Sequence, residues 1–439
     1  MKKTGKDEQG LVIGFDTRFA SEDFASATAE VIAGNGIKVY LCSKPTPTPV
    51  VSFGVVTQKT AGAVIITASH NPARWNGFKF RSENGASASN EVIAELEKHV
   101  DYAVSTGKVN QMPVTQAQQQ KFLEYIDLTP MYFERVARFI DLNALRQTKL
   151  KVVVDTMYGA GSGYLKALLS GGAIEIVEIN GERNPAFPGI QPEPIASNLG
   201  KLSATVKTQG ANVGLASDGD ADRIGVIDEN GKFLTQLQVF ALLCLYLLEI
   251  RGERGPIVKT ITSTSMVDRL GEIYNVPVYE TSVGFKYVAP IMIEEKAIIG
   301  GEESGGYGFR GHIPERDAIV ASLYFLDLMV RSGKTPAQLL DYIYSKVGPH
   351  YYDRIDVEFS EDKRQTMIER IRNNSPEKIK GVLVLKTDST DGFRFILADT
   401  TWLLIRFSGT EPVLRIYAES DSQVRVKNLL EFGRALAGV

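Results

Sequence analysis

The chain of 439 residues has little of several features that define whole classes of protein. It contains two cysteines, Cys42 and Cys244, both inside apolar stretches, so a disulfide framework is excluded and a reducing compartment is expected. The formal net charge of -3 gives no reason to expect a nucleic acid or an acidic membrane as a partner. The longest apolar run, residues 239–248, is too short to cross a bilayer, and we expect no secretion signal. These absences predict a cytoplasmic, multidomain protein.

What the sequence does contain is an alternation of short apolar runs and helix-like stretches from residue 11 to about residue 350. Apolar strands separated by helices favour parallel pairing in sheets that are covered on both faces. Beyond that point, closely spaced strands with short turns predict an antiparallel sheet with helices on one face. We therefore predict three α/β domains, residues 1–130, 131–232 and 233–350, followed by an α+β domain over residues 351–439.

The stretch TASHNP (67–72) follows the apolar run GAVII (62–66). One interpretation is an ordinary turn, because serine and Asn-Pro are common turn residues. The other is that Ser69, next to His70, is an active-site nucleophile on a loop just past a strand. Lys79, in the later stretch NGFKF, could share that site or face solvent. The stretch alone leaves both interpretations open.

The stretch DGDADR (218–223) is the strongest local signal. Side chains two residues apart in extended backbone share a face, so Asp218, Asp220 and Asp222 converge and repel one another unless a cation lies among them. Ligand sets made only of oxygen suit Mg²⁺ or Ca²⁺ rather than zinc. A calcium loop fails because Arg223 stands where such a loop requires glycine. The alternative is a solvated acidic loop, but the apolar strands on both sides favour a magnesium site.

The stretch RFSGTEP (406–412) lies between two strands and offers the groups that a phosphate dianion requires. Arg406 provides a two-pronged donor, Ser408 and Thr410 provide hydroxyl groups, and Gly409 allows backbone N–H groups to face an anion. A hairpin turn with incidental polar residues is the other interpretation.

Two further loops carry weaker signals. GEESGG (301–306) places Glu302 and Ser304 after a strand, which suits the binding of sugar hydroxyls but also an ordinary surface turn. SVGFK (282–286) places Lys286 after a glycine-containing loop. No G-x-S-x-G motif surrounds a serine and no G-x-x-x-x-G-K-[ST] motif is present, so an α/β-hydrolase and an ordinary nucleoside triphosphatase are disfavoured.

Together, TASHNP, DGDADR, GEESGG and RFSGTEP, in this order and spacing, resemble the α-D-phosphohexomutase superfamily of phosphoglucomutases and phosphomannomutases over nearly the whole chain. The resemblance implies three similar α/β domains with mixed sheets covered by helices, and a C-terminal α+β domain, arranged around a central cleft. It implies an enzyme that interconverts hexose 1-phosphate and hexose 6-phosphate through a phosphoserine and a bisphosphorylated sugar. Mg²⁺ and glucose 1,6-bisphosphate are the implied cofactors.

The resemblance also assigns roles to individual residues. Ser69 would carry the phosphoryl group and complete the coordination of Mg²⁺. The other implied metal ligands are Asp218, Asp220 and Asp222, and the other implied catalytic residues are His70, Lys79 and Arg223. The implied substrate-binding residues are Lys286, Glu302, Ser304, Arg406, Ser408, Gly409, Thr410 and Arg415.

Two departures from the superfamily pattern bear on activity. The sugar loop often ends in histidine, whereas this chain has Gly306, and the GEESGG form favours glucose over mannose. The superfamily also carries a Gly-Thr-x-Gly-x-Arg pattern near its N-terminus, which this sequence lacks, so we expect a poor mutase. A metal-dependent sugar phosphatase and a weakly catalytic sugar-phosphate-binding protein remain alternatives. The expected partner is a hexose phosphate, with no nucleic acid or membrane, and the chain could be a monomer or a homo-oligomer.

Overall fold

The architecture comes from a computed structural model that describes residues 5–409 and 412–439. The strands form four sheets that follow one another along the chain. The first three sheets are mixed and the fourth is antiparallel throughout. This is the fold class that the sequence predicts.

The first sheet has the strand order β4-β3-β1-β2-β5. Its central strands are apolar, and every residue of β1 and β3 is buried. The elements of this region are β1 (Leu11–Phe15), α1 (Ser21–Gly34), β2 (Val39–Cys42), α2 (Thr48–Gln58), β3 (Gly62–Ile66), β4 (Phe78–Ser82), α3 (Asn90–Thr106), α4 (Val114–Gln119) and β5 (Leu123–Ile126).

The second sheet has the order β10-β9-β8-β6-β7. Its elements are α5 (Thr129–Val136), α6 (Leu142–Gln147), β6 (Lys151–Asp155), α7 (Tyr164–Leu169), β7 (Glu175–Ile179), α8 (Gly200–Gln209), β8 (Val213–Ser217), β9 (Ile224–Ile227) and β10 (Phe233–Leu234).

The third sheet has the order β12-β11-β13-β14. Its elements are α9 (Gln236–Leu245), β11 (Ile257–Thr260), α10 (Met266–Tyr274), β12 (Val278–Thr281), α11 (Phe285–Glu294), β13 (Ile299–Gly301), β14 (Tyr307–Phe309), α12 (Ala318–Ser332) and α13 (Pro336–Val347). Helices α9 and α12 are mostly buried and apolar. Their side chains belong to one apolar cluster that also takes in side chains from the first and second sheets.

The fourth sheet has the order β15-β20-β19-β18-β17-β16. Its elements are β15 (Tyr351–Glu358), α14 (Arg364–Asn373), β16 (Lys378–Ile379), β17 (Val382–Asp388), β18 (Phe393–Leu397), β19 (Trp402–Phe407), β20 (Val413–Ser420) and α15 (Gln423–Ala437). Its two helices complete a separate apolar core. Across the described ranges, no helix combines the length and apolarity that a membrane span requires.

The three mixed sheets repeat one strand arrangement: β4-β3-β1-β2, β9-β8-β6-β7 and β14-β13-β11-β12. In each, the chain leaves the carboxyl end of the second strand, forms a loop and returns as an antiparallel neighbour. These loops span residues 67–77, 218–223 and 302–306, so they carry TASHNP, DGDADR and most of GEESGG. The parallel pairing favoured by the apolar runs is wrong for the returning strands, because a short loop can join only antiparallel neighbours.

Candidate active site

Ser69 lies on the loop that follows β3. Its backbone φ of 52° falls in the left-handed region, which is uncommon for a residue other than glycine. The backbone N–H of Ser69 donates to Thr67 Oγ1 at 2.8 Å, and its carbonyl oxygen accepts from Arg18 at 2.7 Å. The residue is only 7% exposed. The loop therefore fixes the direction of the serine side chain.

Arg18, just after β1, holds this loop through hydrogen bonds to its main chain. The sequence reasoning missed this residue. Its side chain is fully buried and its Nε donates to Asp16 Oδ2 at 3.1 Å. Its two terminal nitrogens donate to four main-chain carbonyl oxygens of the loop, those of Ser69, Asn71, Pro72 and Trp75, at 2.6–3.0 Å. The sequence pattern that could have indicated it is Asp-Thr-Arg directly after a buried strand. An arginine at such a buried position requires hydrogen-bond acceptors from the protein.

The DGDADR loop is tightly turned, with Ala221 at a φ of 57°. Asp218 Oδ1 accepts the backbone N–H groups of Asp222 at 2.9 Å and of Arg223 at 3.0 Å. All three aspartates are fully buried, and one carboxylate oxygen from each lies within 4.8 Å of the others. The predicted convergence of Asp218, Asp220 and Asp222 is therefore present, but the extended backbone predicted for it is wrong, because a tight turn brings the three side chains together.

The serine loop and the aspartate loop meet. Ser69 Oγ donates a hydrogen bond to Asp218 Oδ2 at 3.0 Å. Burial raises the pKa of Asp218 well above its usual value, and the neighbouring carboxylates of Asp222 and Asp220 add to the rise. Asp220 Oδ1 and Asp222 Oδ1 accept no hydrogen bond from the part of the chain that the structure describes. Buried carboxylate oxygens without donors, in a set that contains only oxygen, fit Mg²⁺.

Lys79 lies on β4 and reaches the same cluster. Its strand pairs with β3 so that Lys79 is opposite Ile65, near the end of β3. The Lys79 Nζ lies 2.7 Å from Asp220 Oδ2 and 3.6 Å from Asp222 Oδ2. Burial acts to raise the pKa of Asp220, but Lys79 and a hydrogen bond from Thr48 outweigh it and hold that pKa below its usual value.

His70 and Arg223 flank the cluster without a hydrogen bond to the Ser69 hydroxyl. Burial, together with the charges of Arg223 and Lys79, lowers the pKa of His70 to about 2, so the imidazole is neutral at physiological pH. The Arg223 guanidinium lies 3.7 Å from Glu193 Oε1 and 3.8 Å from Asp222 Oδ1. Of the two, Arg223 provides the positive charge near the aspartates.

Arg316, between β14 and α12, is the second functional candidate that the sequence reasoning missed. It contacts three carboxylates: Asp222 at 2.7 Å, Glu315 at 3.1 Å and Glu302 at 3.2 Å. Arg316 therefore links the aspartate loop to the sugar loop. A Cβ atom at Gly306 would lie 2.2 Å from Arg316 Cδ, so this chain cannot carry a histidine there with Arg316 in place. The signal in the sequence was an arginine immediately before a buried helix.

Of the residues predicted to bind the sugar, Glu302 lies at the charged cluster, whereas Lys286 lies elsewhere. Glu302 is 6% exposed and, through Arg316, joins the charged cluster. Burial raises the pKa of Glu302, and Arg316 opposes the rise. Ser304 Oγ is buried with no hydrogen-bond partner among the described residues. Lys286 is exposed on α11 and donates to Asn90 Oδ1 on α3 at 2.9 Å, so the structure does not join it to the aspartates.

The predicted phosphate loop connects β19 and β20. Arg406 and Arg415 lie directly opposite each other on these strands. Like charges in such a cross-strand pair are destabilising unless anions offset them. A backbone hydrogen bond of 2.8 Å from Ser408 to β20 closes the turn, and a Cβ at Gly409 would meet no atom within 4 Å. Thr410 lies outside the described residues.

The fold and this geometry define a class: multidomain α/β proteins that present a buried serine to a cluster of aspartates, as enzymes of metal-assisted phosphoryl transfer require. Sequence comparison gives the family. Phosphoglucomutase/phosphomannomutase alpha/beta/alpha domains I, II and III match residues 1–105, 130–231 and 236–347, and the C-terminal domain matches residues 357–435. The chain belongs to the phosphoglucomutase/phosphomannomutase family.

Individual relatives align with almost the whole of this chain. A phosphoglucomutase/phosphomannomutase of Thermococcus kodakarensis is 31% identical over 99% of this chain and 91% of its own length. A "probable phosphoglucosamine mutase" of Methanosphaera stadtmanae is 30% identical, over 98% of this chain and 90% of the relative. The crystal structure of a "putative phosphomannomutase" from Thermus thermophilus superposes with a TM-score of 0.83 at 34% identity, over 98% of this chain and 90% of that one. The predicted superfamily and enzyme class, a phosphotransferase-type isomerase, are confirmed, and hexose-phosphate mutase activity is supported.

Proposed function

We propose that the protein interconverts hexose 1-phosphate and hexose 6-phosphate through a phosphorylated Ser69, with glucose as the preferred hexose and mannose as a second substrate. The observation that carries the proposal is the 3.0 Å hydrogen bond from Ser69 Oγ to Asp218, one of three buried and converging aspartates. A serine hydroxyl in a turn has no need of such a partner, whereas a phosphoryl acceptor beside a metal site does.

Asp218, Asp220 and Asp222 would hold Mg²⁺ together with phosphorylated Ser69, and the bound ion would neutralise charge on the transferring group. Lys79 and Arg223 would offset the remaining negative charge and assist proton transfer at the sugar hydroxyl. In the first step a bond would form between the sugar hydroxyl oxygen and phosphorus while the phosphorus–Oγ bond of Ser69 breaks, and the proton of the sugar hydroxyl would end on Ser69 Oγ. The bisphosphorylated sugar then reorients, and its other phosphate returns to Ser69.

Substrate binding is assigned to loops of the third and fourth domains. Glu302 and Ser304 would bind sugar hydroxyls, and the buried Ser304 hydroxyl, which has no hydrogen-bond partner within residues 5–409 and 412–439, supports this. The phosphate that does not react would lie against Arg406 and Arg415, which are opposite each other on β19 and β20 and whose charges are partly offset by ion pairs with Asp391 and Asp356. The other substrate residues proposed are Lys286, Ser408, Gly409 and Thr410, and glucose 1,6-bisphosphate is the proposed activator.

A second candidate substrate comes from the relatives. Several are named phosphoglucosamine mutase, including the one from Methanosphaera stadtmanae, so an amino sugar must be tested beside glucose and mannose. The GEESGG form of the sugar loop is the feature that favours glucose over mannose.

The test is a coupled assay with glucose 1-phosphate, mannose 1-phosphate and glucosamine 1-phosphate, each with Mg²⁺ and a trace of the matching bisphosphate. We expect isomerised sugar phosphate and, by mass spectrometry of the purified protein, phosphate on Ser69. Release of inorganic phosphate without isomerisation would instead indicate a phosphatase. Binding without either reaction would indicate a sugar-phosphate-binding protein, and full activity of Ser69→Ala would refute the role of that serine.

A further inference from the structure

Asp391, in the turn between β17 and β18, links strand β19 of the fourth domain to a loop of the third domain. Its Oδ1 accepts a hydrogen bond from Arg406 Nε at 2.9 Å, within an ion pair that is largely shielded from solvent. Its Oδ2 accepts the backbone N–H of Val283 at 2.9 Å. Val283 lies in the loop SVGFK, three residues before Lys286. One carboxylate thus contacts both the predicted phosphate-binding Arg406 and the loop that leads to Lys286, a predicted substrate-binding residue.

The backbone of this turn is specialised for that contact. Gly392 has a φ of 112°, which an L side chain rarely adopts. A Cβ atom at Gly392 would also lie 2.6 Å from the carbonyl oxygen of Ile405, the residue before Arg406. The turn therefore packs directly on the strand that carries Arg406. This close approach brings the Asp391 carboxylate within hydrogen-bond distance of Arg406.

The contact also orients the guanidinium. The bond from Nε to Asp391 uses one N–H group of Arg406, which leaves the edge formed by its two terminal nitrogens for an anion. That edge is the one that binds a phosphate through two parallel hydrogen bonds. A held arginine loses less conformational freedom when it binds an anion than a mobile one does.

We infer that Asp391 is a positioning residue: it orients Arg406 and fixes the 282–284 loop of the third domain against the fourth, so that both are set to bind the phosphate that does not react. The inference rests on the proposed function, which places that phosphate at Arg406. A residue that only stabilised the contact between the two domains would make the same hydrogen bonds. Its loss would lower stability without a specific loss of substrate affinity.

The experiment compares Asp391→Ala and Asp391→Asn with a matched control, Asp399→Ala. Asp399 lies in the same domain and also pairs with an arginine, Arg425, but on the turn at the other end of β18. The measured quantities are kcat and KM for the hexose phosphate that the wild-type protein converts, and the midpoint of thermal unfolding. A second measurement is the dissociation constant of glucose 1-phosphate in the Ser69→Ala background, which needs no turnover.

We expect Asp391→Ala to raise KM and the dissociation constant by about 10-fold or more, with kcat changed by less than about 3-fold. Asp391→Asn keeps one acceptor oxygen without the charge, so its rise should be smaller. The control should match the wild type in both constants.

A KM within about 2-fold of the wild type, a fall in kcat at constant KM, or an equal rise in Asp399→Ala would overturn the inference. If Asp391→Ala does not fold, Asp391→Asn decides by the same criteria. If neither the wild type nor the control converts any hexose phosphate, the proposed function fails. The dissociation constants then still decide whether Asp391 positions an anion-binding arginine.

Discussion

Replacing Arg18 by methionine tests whether one buried side chain holds the serine loop. The change keeps much of the volume but removes every hydrogen bond of the guanidinium. Four main-chain carbonyl oxygens of residues 69–75 each lose one donor, and Asp16 loses its buried cation. The left-handed conformation of Ser69 then has less to maintain it.

The magnitude follows from these contacts. Hydrogen bonds to a charged group contribute about 1.5–3 kcal/mol each, so adding those of Arg18 would give about 10 kcal/mol. That sum is too large, because the loop can relax and water can reach some of the freed carbonyl groups. Removing one partner of a buried ion pair costs about 3–5 kcal/mol, which is the better guide. A loss of this size in the local stability of the loop would raise the population of its open state by about 150- to 5,000-fold.

Amide hydrogen exchange measures this opening directly. The N–H groups of Asn71 and Trp75 donate to carbonyl oxygens within the loop at 2.9 and 3.0 Å, so they report its closed state. We expect their exchange to accelerate strongly in Arg18→Met. Arg183→Met is the matched control, because Arg183 pairs with Glu22 where both side chains are 43% exposed, and surface pairs contribute about 0–1 kcal/mol. Equal exchange in the two variants would refute the role of Arg18.

The metal cluster, the Gly306 contact and the two thiols lead to further expectations. Asp220→Asn keeps the shape but removes a charge, so turnover in the coupled assay should fall by about 100-fold or more while the fold persists, and Ca²⁺ should replace Mg²⁺ poorly. Gly306→Ala should displace Arg316 and lower kcat/KM by about 10-fold or more. Burial raises the pKa of Cys42 to about 12 and that of Cys244 well above its usual value, so a thiol reagent at pH 8 should label only unfolded protein. Because unfolded thiols ionise near pH ~8.5, these raised values also make the folded state less stable as pH rises above that point.

Each of these expectations has a clear contrary result. Equal rates with Ca²⁺ and Mg²⁺, or an undiminished Asp220→Asn enzyme, would exclude the aspartates as the functional metal site. Gly200→Ala is the control for Gly306→Ala, because a Cβ at Gly200 meets no atom within 4 Å. Equal kcat/KM in the two variants would contradict the steric argument. Rapid labelling of two thiols in the native protein would contradict their burial.

Much of this site could be predicted because its signals are local. The apolar runs before residues 67, 218 and 302 are buried strands, and the turn residues after them form the loops that carry the motifs. Asp218, Asp220 and Asp222 converge because they lie within one tight turn, although that turn replaces the extended backbone expected from their spacing. The fourth domain was predictable in the same way, since closely spaced strands with short turns pair with each other.

Arg18 and Arg316 could not be singled out in the same way. Nothing beside an arginine in the sequence tells whether its charge faces water or a buried carboxylate, because the partners of these two come from distant segments. Arg316 contacts Asp222, which lies 94 residues earlier in the chain. This contact depends on the packing of the second and third sheets around a shared apolar cluster. Lys286 shows the converse: the resemblance implies that it binds substrate, yet its described hydrogen bond is to Asn90 on α3.

The sequence by itself therefore determined the local chemistry: which strands are buried, which loops follow them, and that three carboxylates must share one volume. Only the tertiary structure decided that Ser69 meets Asp218 across a separation of 149 residues, and that Gly306 leaves the space in which Arg316 joins the two loops. The physical reason is that periodicity and turn chemistry act over a few residues. Contacts between domains are set instead by the burial of shared apolar surface and by the pairing of the charges that this burial encloses.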